Sequence, residues 1–282
     1  MKTIVVTGAT SGIGFSVCRA LLKAGFRVIG TGRCEEHCAS ALGSLQAENR
    51  DYEISFLCGD LQQQEEVRRL ARELKKSLGK TDTLHALVNN AGAVRSWYMT
   101  TNEGYEQQFA LNHLAGFLLT HELMPELLKA HGRVLMTSSG SHRGIKMHWK
   151  DIMFSNGYRP LLAYKQSKLC NVLFAFGLNE RYQDRGLRAY GIDPGLVRTD
   201  IGSKNTGGFV DLFWKIRKTG GADPAVPARI YTKLCTNDED RSGLYFGIQG
   251  KKRYSPEVTR ENADRLFELS EKLCNTKVEG YL

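Results

Sequence analysis

Thr3-Ile4-Val5-Val6-Thr7-Gly8-Ala9-Thr10-Ser11-Gly12-Ile13-Gly14 is a β-branched apolar run that ends in a glycine-spaced turn. A helical pattern then continues through Ala24. Glycines in such a turn let the backbone bend tightly and approach a ligand closely. A helix that starts there offers unpaired N–H groups and the positive end of its dipole, which together suit a pyrophosphate. A glycine triplet alone is weak evidence in a chain with 29 glycines; the strand before it and the helix after it give it meaning. Gly8, Thr10, Ser11, Gly12, Ile13 and Gly14 are the first candidate cofactor contacts.

The next apolar run, Arg27–Thr31, ends in Gly32-Arg33. In a dinucleotide fold this tip lies beside the adenosine ribose. A carboxylate there accepts from the 2′-OH, whereas an arginine pairs with a 2′-phosphate. The first acid after the strand is Glu35, so the expected cofactor is NADP(H) rather than NAD(H), with Arg33 on the phosphate.

Further apolar runs occur at Glu53–Cys58, Ala86–Asn89, Arg133–Thr137, Arg188–Ile192 and Gly243–Phe246. They are continuous rather than alternating, as expected for parallel strands covered on both faces. Helical patterns lie between them at Gln64–Leu78, Tyr105–Leu128 (broken near Pro125) and Ala163–Arg185, and an amphipathic one closes the chain at Pro256–Leu273. This alternation predicts an α/β fold of the doubly wound, Rossmann type: a seven-stranded parallel sheet in a three-layer α/β/α sandwich. The 282 residues are read as one domain spanning 1–282, since neither a repeat nor a linker divides them.

Composition excludes several classes. With 41% hydrophobic residues the chain is not disordered, and no apolar run approaches the ~18 residues of a membrane span. Met1-Lys2 leads straight into a strand-like run, so no membrane span and a cytoplasmic location are expected. The seven cysteines are an odd number without a Cys-x-x-Cys pair, which fits a reducing compartment. Cys34, His37 and Cys38 lack a fourth ligand at metal spacing and read as the start of a surface helix, so no metal is expected. The net charge of +9 raises nucleic acid as a partner. However, Arg68-Arg69 and Lys75-Lys76 lie on a glutamate-rich helical pattern, Lys251-Lys252-Arg253 follows a glycine-containing turn, and no basic stripe connects them. Nucleic acid is therefore not expected.

The motifs now resemble the short-chain dehydrogenase/reductase family over nearly the whole chain. Thr7-Gly8, Gly12 and Gly14 resemble its TGxxxGxG turn, and Asn89-Asn90-Ala91-Gly92 its NNAG turn. Asn112, Ser139, Tyr164 and Lys168 stand where the family has its catalytic tetrad. Pro194-Gly195 with Val197 and Thr199 resembles the segment that holds the nicotinamide, and Asp60 with Leu61 the one beside the adenine. Ser139 and Tyr164 are 25 residues apart, a longer separation than in many compact members. The insert 141–162 and the string from Tyr164 to Phe174 are similar to the retinol-dehydrogenase-like group. That likeness implies an NADP-dependent oxidoreductase acting on an apolar alcohol, aldehyde or ketone. Many members pair through the helices that carry Asn112 and Tyr164, which makes a homodimer or homotetramer possible; the insert before Tyr164 either interferes with that surface or adds to it, so the oligomeric state stays open.

The residue types suit that chemistry. Tyr164 and Lys168 are four apart on a helical pattern and share a face. A free tyrosine has a pKa of about 10 and is a poor base at neutral pH; a neighbouring ammonium favours the phenolate. Tyr164 can then exchange a proton with a carbonyl oxygen, while the Ser139 hydroxyl donates to the same oxygen. Ser138 is the rival serine, with strand-end backbone bonding as its plain role. Asn112, in an apolar helical segment, must be bonded if buried; the resemblance assigns it a water that relays protons from Lys168. Met147, Trp149, Ile152, Met153 and Phe154 of the insert, Trp97-Tyr98-Met99, and Phe209, Leu212, Phe213 and Trp214 of a substrate loop at 199–222 are expected to frame an apolar pocket for a lipophilic substrate, steroid- or retinoid-like, or else to serve as core or as oligomer contacts. A non-enzymatic NADP(H) sensor or scaffold is the alternative, and the retained Asn112, Ser139, Tyr164 and Lys168 speak against it.

Overall fold

The first apolar run forms β1 (Thr3–Val6), whose four residues are all buried. In the computed structural model, which describes residues 1–79, 83–197, 221–236 and 244–276, the chain then alternates. After β1 come α1 (Gly12–Lys23), β2 (Arg27–Gly32), α2 (Glu35–Glu48), β3 (Ile54–Cys58), α3 (Gln64–Leu78) and β4 (Ala86–Asn89). A segmented helical stretch follows: α4 (Gln107–Phe109), a π-helical turn at Ala110–Leu114, α5 (Ala115–Glu122) and α6 (Met124–Lys129). The remaining elements are β5 (Arg133–Thr137), α7 (Pro160–Tyr182), β6 (Arg188–Asp193), α8 (Ala225–Thr236), β7 (Tyr245–Gly247), β8 (Gly250–Lys251) and α9 (Arg260–Leu273).

The strands form one sheet in the order β3-β2-β1-β4-β5-β6-β7-β8. The pairings from β3 to β7 are parallel, which gives the seven expected strands. The eighth strand was not anticipated. It is a two-residue antiparallel return, made possible where Gly250 takes φ +105° and reverses the chain. Strand residues alternate between two apolar clusters. Val5, Ile29, Leu87, Val134 and Met136 face the layer of α3, α5, α7 and α9. Ile4, Val6, Val28, Val88, Leu135 and Ile192 face the layer of α1, α2 and α8. That division is the two-residue period of a strand read out as three layers. Among the described residues no helix is long and apolar enough to cross a membrane.

Several elements differ from expectation, among them the long helix, at Pro160–Tyr182 instead of Ala163–Arg185. The last strand is shifted, at Tyr245–Gly247. The closing helix starts at Arg260 rather than Pro256, because Thr259 caps it by accepting from the Asn262 N–H. Helix α8 had no counterpart in the sequence reading, although its start signal was present: the Asp223 carboxylate accepts from the Ala225 N–H across Pro224.

The chain leaves β1 toward β3 at one side and returns at β4 toward β7 at the other. The carboxyl ends of β1 and β4 therefore flank the switch point where such sheets bind ligands. The glycine turn lies there. Gly8 and Gly12 adopt φ of +62° and +55°. A β-carbon on Gly14 would stand 2.2 Å from the Gly8 carbonyl oxygen and 2.7 Å from Asn90 Nδ2, so α1 meets β1 with no room for a side chain. Gly14→Ala is accordingly expected to lower the unfolding free energy by about 1–3 kcal/mol, the usual scale of overpacking. The check is the urea midpoint, and a midpoint equal to wild type would contradict the tight contact.

Candidate active site

Two turns from distant parts of the sequence are joined at the switch point. The Thr7 hydroxyl donates to Val88 O (3.3 Å) and accepts from the N–H groups of Asn90 and Ala91 (2.9 and 3.0 Å). Asn90 Nδ2 donates to Thr7 O (3.0 Å). The glycine turn and the Asn90-Ala91-Gly92 turn therefore form one unit. The end of α1 has the features an anion needs. Ser11 stands at its N-cap in extended conformation without a side-chain cap bond, and the first helical N–H groups have no intrahelical acceptor. Thr10 packs over Gly32, whose added β-carbon would lie 2.4 Å from Thr10 Cγ2. Ile13 leans on the core beneath. Glycine cradle, helix start and positive φ together fit a dinucleotide pyrophosphate.

The expected adenosine side lies along the ends of β2 and β3. Arg33 is exposed directly after β2. After β3, the Asp60 carboxylate accepts from the Gln62 N–H at 3.1 Å, and Leu61 is buried in the core. Arg95 was missed in the sequence. Its Nε donates to Gln107 Oε1 at 2.9 Å. Burial lowers its pKa, and the nearby Arg33 cation lowers it further, against the pull of Glu106 and Asp60. Two guanidinium groups thus share one neighbourhood. Arg95 follows the Asn90–Gly92 turn by a few residues, but no local pattern in the sequence shows that this loop folds toward Arg33.

Lys168 is buried on α7 and donates from Nζ to Thr137 O at 3.1 Å. Burial pushes its pKa down to about 8. Asn171 Nδ2 donates to the same carbonyl at 3.0 Å, and Ser138 Oγ donates to Lys168 O at 2.7 Å. Helix α7 is thereby fastened to the end of β5, and Ser138 performs the backbone role expected of it. Ser139 comes next in the chain. Its Oγ accepts from the Ser141 N–H at 3.2 Å, which leaves its own O–H as a donor. Tyr164 is one helical turn before Lys168, buried against Val94, with its ring centroid 5.6 Å from Lys168 Nζ.

Asn112 lies within the π-helical turn, a distortion often found at functional sites. Its Oδ1 accepts from the Ala93 N–H (2.8 Å), and its Nδ2 donates to Ala93 O (3.0 Å) and Ser167 Oγ (2.9 Å). Ser167 Oγ in turn donates to Tyr164 O. Gly92 sits between these groups: a β-carbon there would be 3.1 Å from Asn112 Oδ1 and 3.4 Å from Lys168 Nζ. Asn112, Gly92, Tyr164 and Lys168 therefore converge, with Ser139 next to the β5 tie. Gly195 turns the chain after Pro194 at φ +73°, and Val197 bridges to Ala222. Thr199 and the aromatic residues of the 199–222 loop lie outside the described residues.

The apolar residues of the insert pack on the core, one of the roles expected of them. Met147 and Phe154 are buried, and Trp149, Ile152 and Met153 pack on the core. Arg265 covers the Trp149 ring at 4.5 Å, and Gln166 holds His148 N and Ile152 O through its side-chain amide. These apolar groups are core because the insert lies against α7 and α9. Trp97, Tyr98 and Met99, by contrast, are 52, 37 and 41% exposed.

Comparison with known proteins identifies the family to which this fold belongs. A family model described as short chain dehydrogenase matches residues 2–207. The chain is 32% identical to human retinol dehydrogenase 13, over 94% of this chain and 81% of that one. It is also 32% identical to bovine retinol dehydrogenase 12, over 99% and 88%. Among solved structures, an uncharacterized protein from Mycobacterium paratuberculosis superposes with a TM-score of 0.74 at 28% identity, covering 99% of this chain and 95% of that one. A short chain dehydrogenase from Shigella flexneri complexed with NADP gives 0.69 at 26% identity, covering 88% and 97%. The chain therefore belongs to the short-chain dehydrogenase family, in its retinol-dehydrogenase-like group of oxidoreductases that act on alcohol and carbonyl groups.

Proposed function

We propose that the chain interconverts a lipophilic ketone or aldehyde, steroid- or retinoid-like, and its alcohol, with NADP(H) as cofactor and Tyr164 as the acid/base. The observation that carries this reading is the buried Tyr164–Lys168 pair fastened to the end of β5. When bound, the nicotinamide supplies or accepts the hydride at the substrate carbon. Gly8, Gly12 and Gly14, with Thr10, Ser11 and Ile13, hold the pyrophosphate at the start of α1. Asp60 and Leu61 flank the adenine. Asn90, Ala91 and Gly92 line the ribose side, and Pro194, Gly195, Val197 and Thr199 hold the nicotinamide end, with Tyr164 and Lys168 on its ribose.

In reduction, Tyr164 Oη gives its proton to the carbonyl oxygen, and in oxidation it takes the alcohol proton. Ser139 Oγ donates to the same oxygen and holds it toward Tyr164. Lys168, charged below about pH 8, stabilises negative charge on the phenol oxygen. Asn112 fixes the Ala93 backbone and, through Ser167, the Tyr164 turn. Arg33 and Arg95 form a cationic patch where a 2′-phosphate is expected, which favours NADP(H) over NAD(H). The exposed Trp97 and Met99 provide apolar surface for the substrate. The names of the retinol dehydrogenases agree with an apolar alcohol.

Three outcomes follow. With NADPH, the wild-type protein turns over a steroid- or retinoid-like ketone well ahead of short polar ketones, and Tyr164→Phe keeps NADPH affinity while losing turnover by about 100-fold or more; near-normal turnover in that variant would defeat the assignment. Arg33→Ala weakens NADPH by about tenfold or more and NADH little, the scale of one charge-assisted hydrogen bond; equal losses for both would exclude phosphate recognition by this residue. Because reduction uses the Tyr164 proton beside a charged lysine, kcat/KM for the ketone is highest on the acid side of Lys168's pKa of about 8 and falls as pH rises through it. Lys168→Met should lack that limb, and an unchanged profile would show that another group sets it.

A further inference from the structure

Asp193 ends β6 with its carboxylate buried and gathers three segments. Oδ1 accepts from the Gly195 N–H at 3.0 Å. Oδ2 accepts from Lys252 Nζ at 2.6 Å. A β-carbon on Gly140 would lie 3.0 Å from Oδ2, so the carboxylate also rests on the backbone next to Ser139. Burial alone would raise the Asp193 pKa, but the Lys252 ammonium and the Gly195 and Gly140 N–H groups hold it below its ordinary value. The lysine reaches it over Gly247, the register partner of Asp193 in β7. A β-carbon on Gly247 would stand 2.4 Å from Lys252 Cδ, so the lysine stem runs through space that only glycine leaves open.

A second tie approaches the same turn independently. His142 is buried, with Nδ1 2.7 Å from Ser139 O and Nε2 3.1 Å from the Ser255 backbone nitrogen. Ser255 can only donate through that N–H, so Nε2 accepts and the ring proton sits on Nδ1, donating to Ser139 O. The Tyr245 ring holds the imidazole edge-on, with centroids 4.7 Å apart. Lys252 and Ser255, both just after β8, thus reach the two sides of the Ser139–His142 turn.

We propose that Asp193, Lys252 and His142 are positioning residues that clamp the end of the sheet onto the Ser139–His142 turn, holding the Ser139 hydroxyl in place for the substrate oxygen and the Gly195 turn in register with it. The proposal rests on the reading of Ser139 as a donor to that oxygen. None of the three residues needs to touch substrate. Their effect is to restrict where Ser139 Oγ stands, and a small displacement there costs turnover.

The test uses the full chain and two variants that break the clamp differently. Lys252→Met removes the charge, whereas Gly247→Ala keeps it and displaces the stem; Lys252→Arg is the conservative rescue. Hydrogen exchange of the backbone at 138–143 is followed in cofactor-free protein, alongside kcat and KM for the ketone. Exchange is expected to rise about tenfold in Lys252→Met and Gly247→Ala, with a drop in kcat and little change in ketone KM. Lys252→Arg should stay near wild type in both. Unchanged exchange in both variants, or faster exchange with kcat held within about twofold, would overturn the clamp. An active Tyr164→Phe would instead strike the site reading and leave the exchange difference standing, so the two failures are separable.

Discussion

Lys168 holds an ammonium in a fully buried position at the end of the sheet, and the surrounding structure is arranged around that cost. Removing a charge from water is unfavourable unless the group is bonded or loses its proton. Both responses are visible. Nζ donates to Thr137 O, and burial brings the pKa down to about 8. A β-carbon on Gly92 would crowd Asn112 Oδ1 at 3.1 Å and touch Lys168 Nζ at 3.4 Å. Ser138 ties the Lys168 carbonyl, and Asn171 shares the Thr137 carbonyl. Helix α7 is thereby locked across β5, and Tyr164, one turn earlier, is oriented by the same constraint.

The nucleotide half of the site rests on backbone geometry rather than charge. Gly8, Gly12 and Gly14 let α1 begin directly against β1, and Thr7 connects that turn to Asn90 and Ala91. Neutral hydrogen bonds of this kind contribute roughly 0.5–1.5 kcal/mol each. Their larger effect is positional, since they keep the carboxyl ends of β1 and β4 in one rigid unit at the switch point. Charge enters at Arg33 and Arg95, where burial and then the nearby Arg33 cation lower the pKa of Arg95.

The segment 141–162 shows how a stretch rich in Trp, Met and Phe can be structural. Its apolar groups cover the core beside α7 and α9, and Tyr158 from the same segment donates to Glu106 Oε1 at 2.7 Å, joining it to the start of α4. Trp97, Tyr98 and Met99, in a loop that leaves the Asn90–Gly92 turn, are among the described apolar residues left at the surface.

The order of strands and helices, the glycine turn and the Tyr164–Lys168 spacing were legible in the sequence, because each depends on local periodicity or on steric demands that only glycine or a four-residue helical step can meet. The antiparallel β8, the late start of α9 and the unforeseen α8 escaped because caps and two-residue returns carry little pattern. Which carbonyl Ser138 bonds, which aromatic residues pack on the core, and how Arg95 meets Arg33 or Lys252 meets Asp193 were settled by tertiary structure alone. These partners lie far apart in the chain, and periodicity fixes the face a side chain points to without fixing what it meets there.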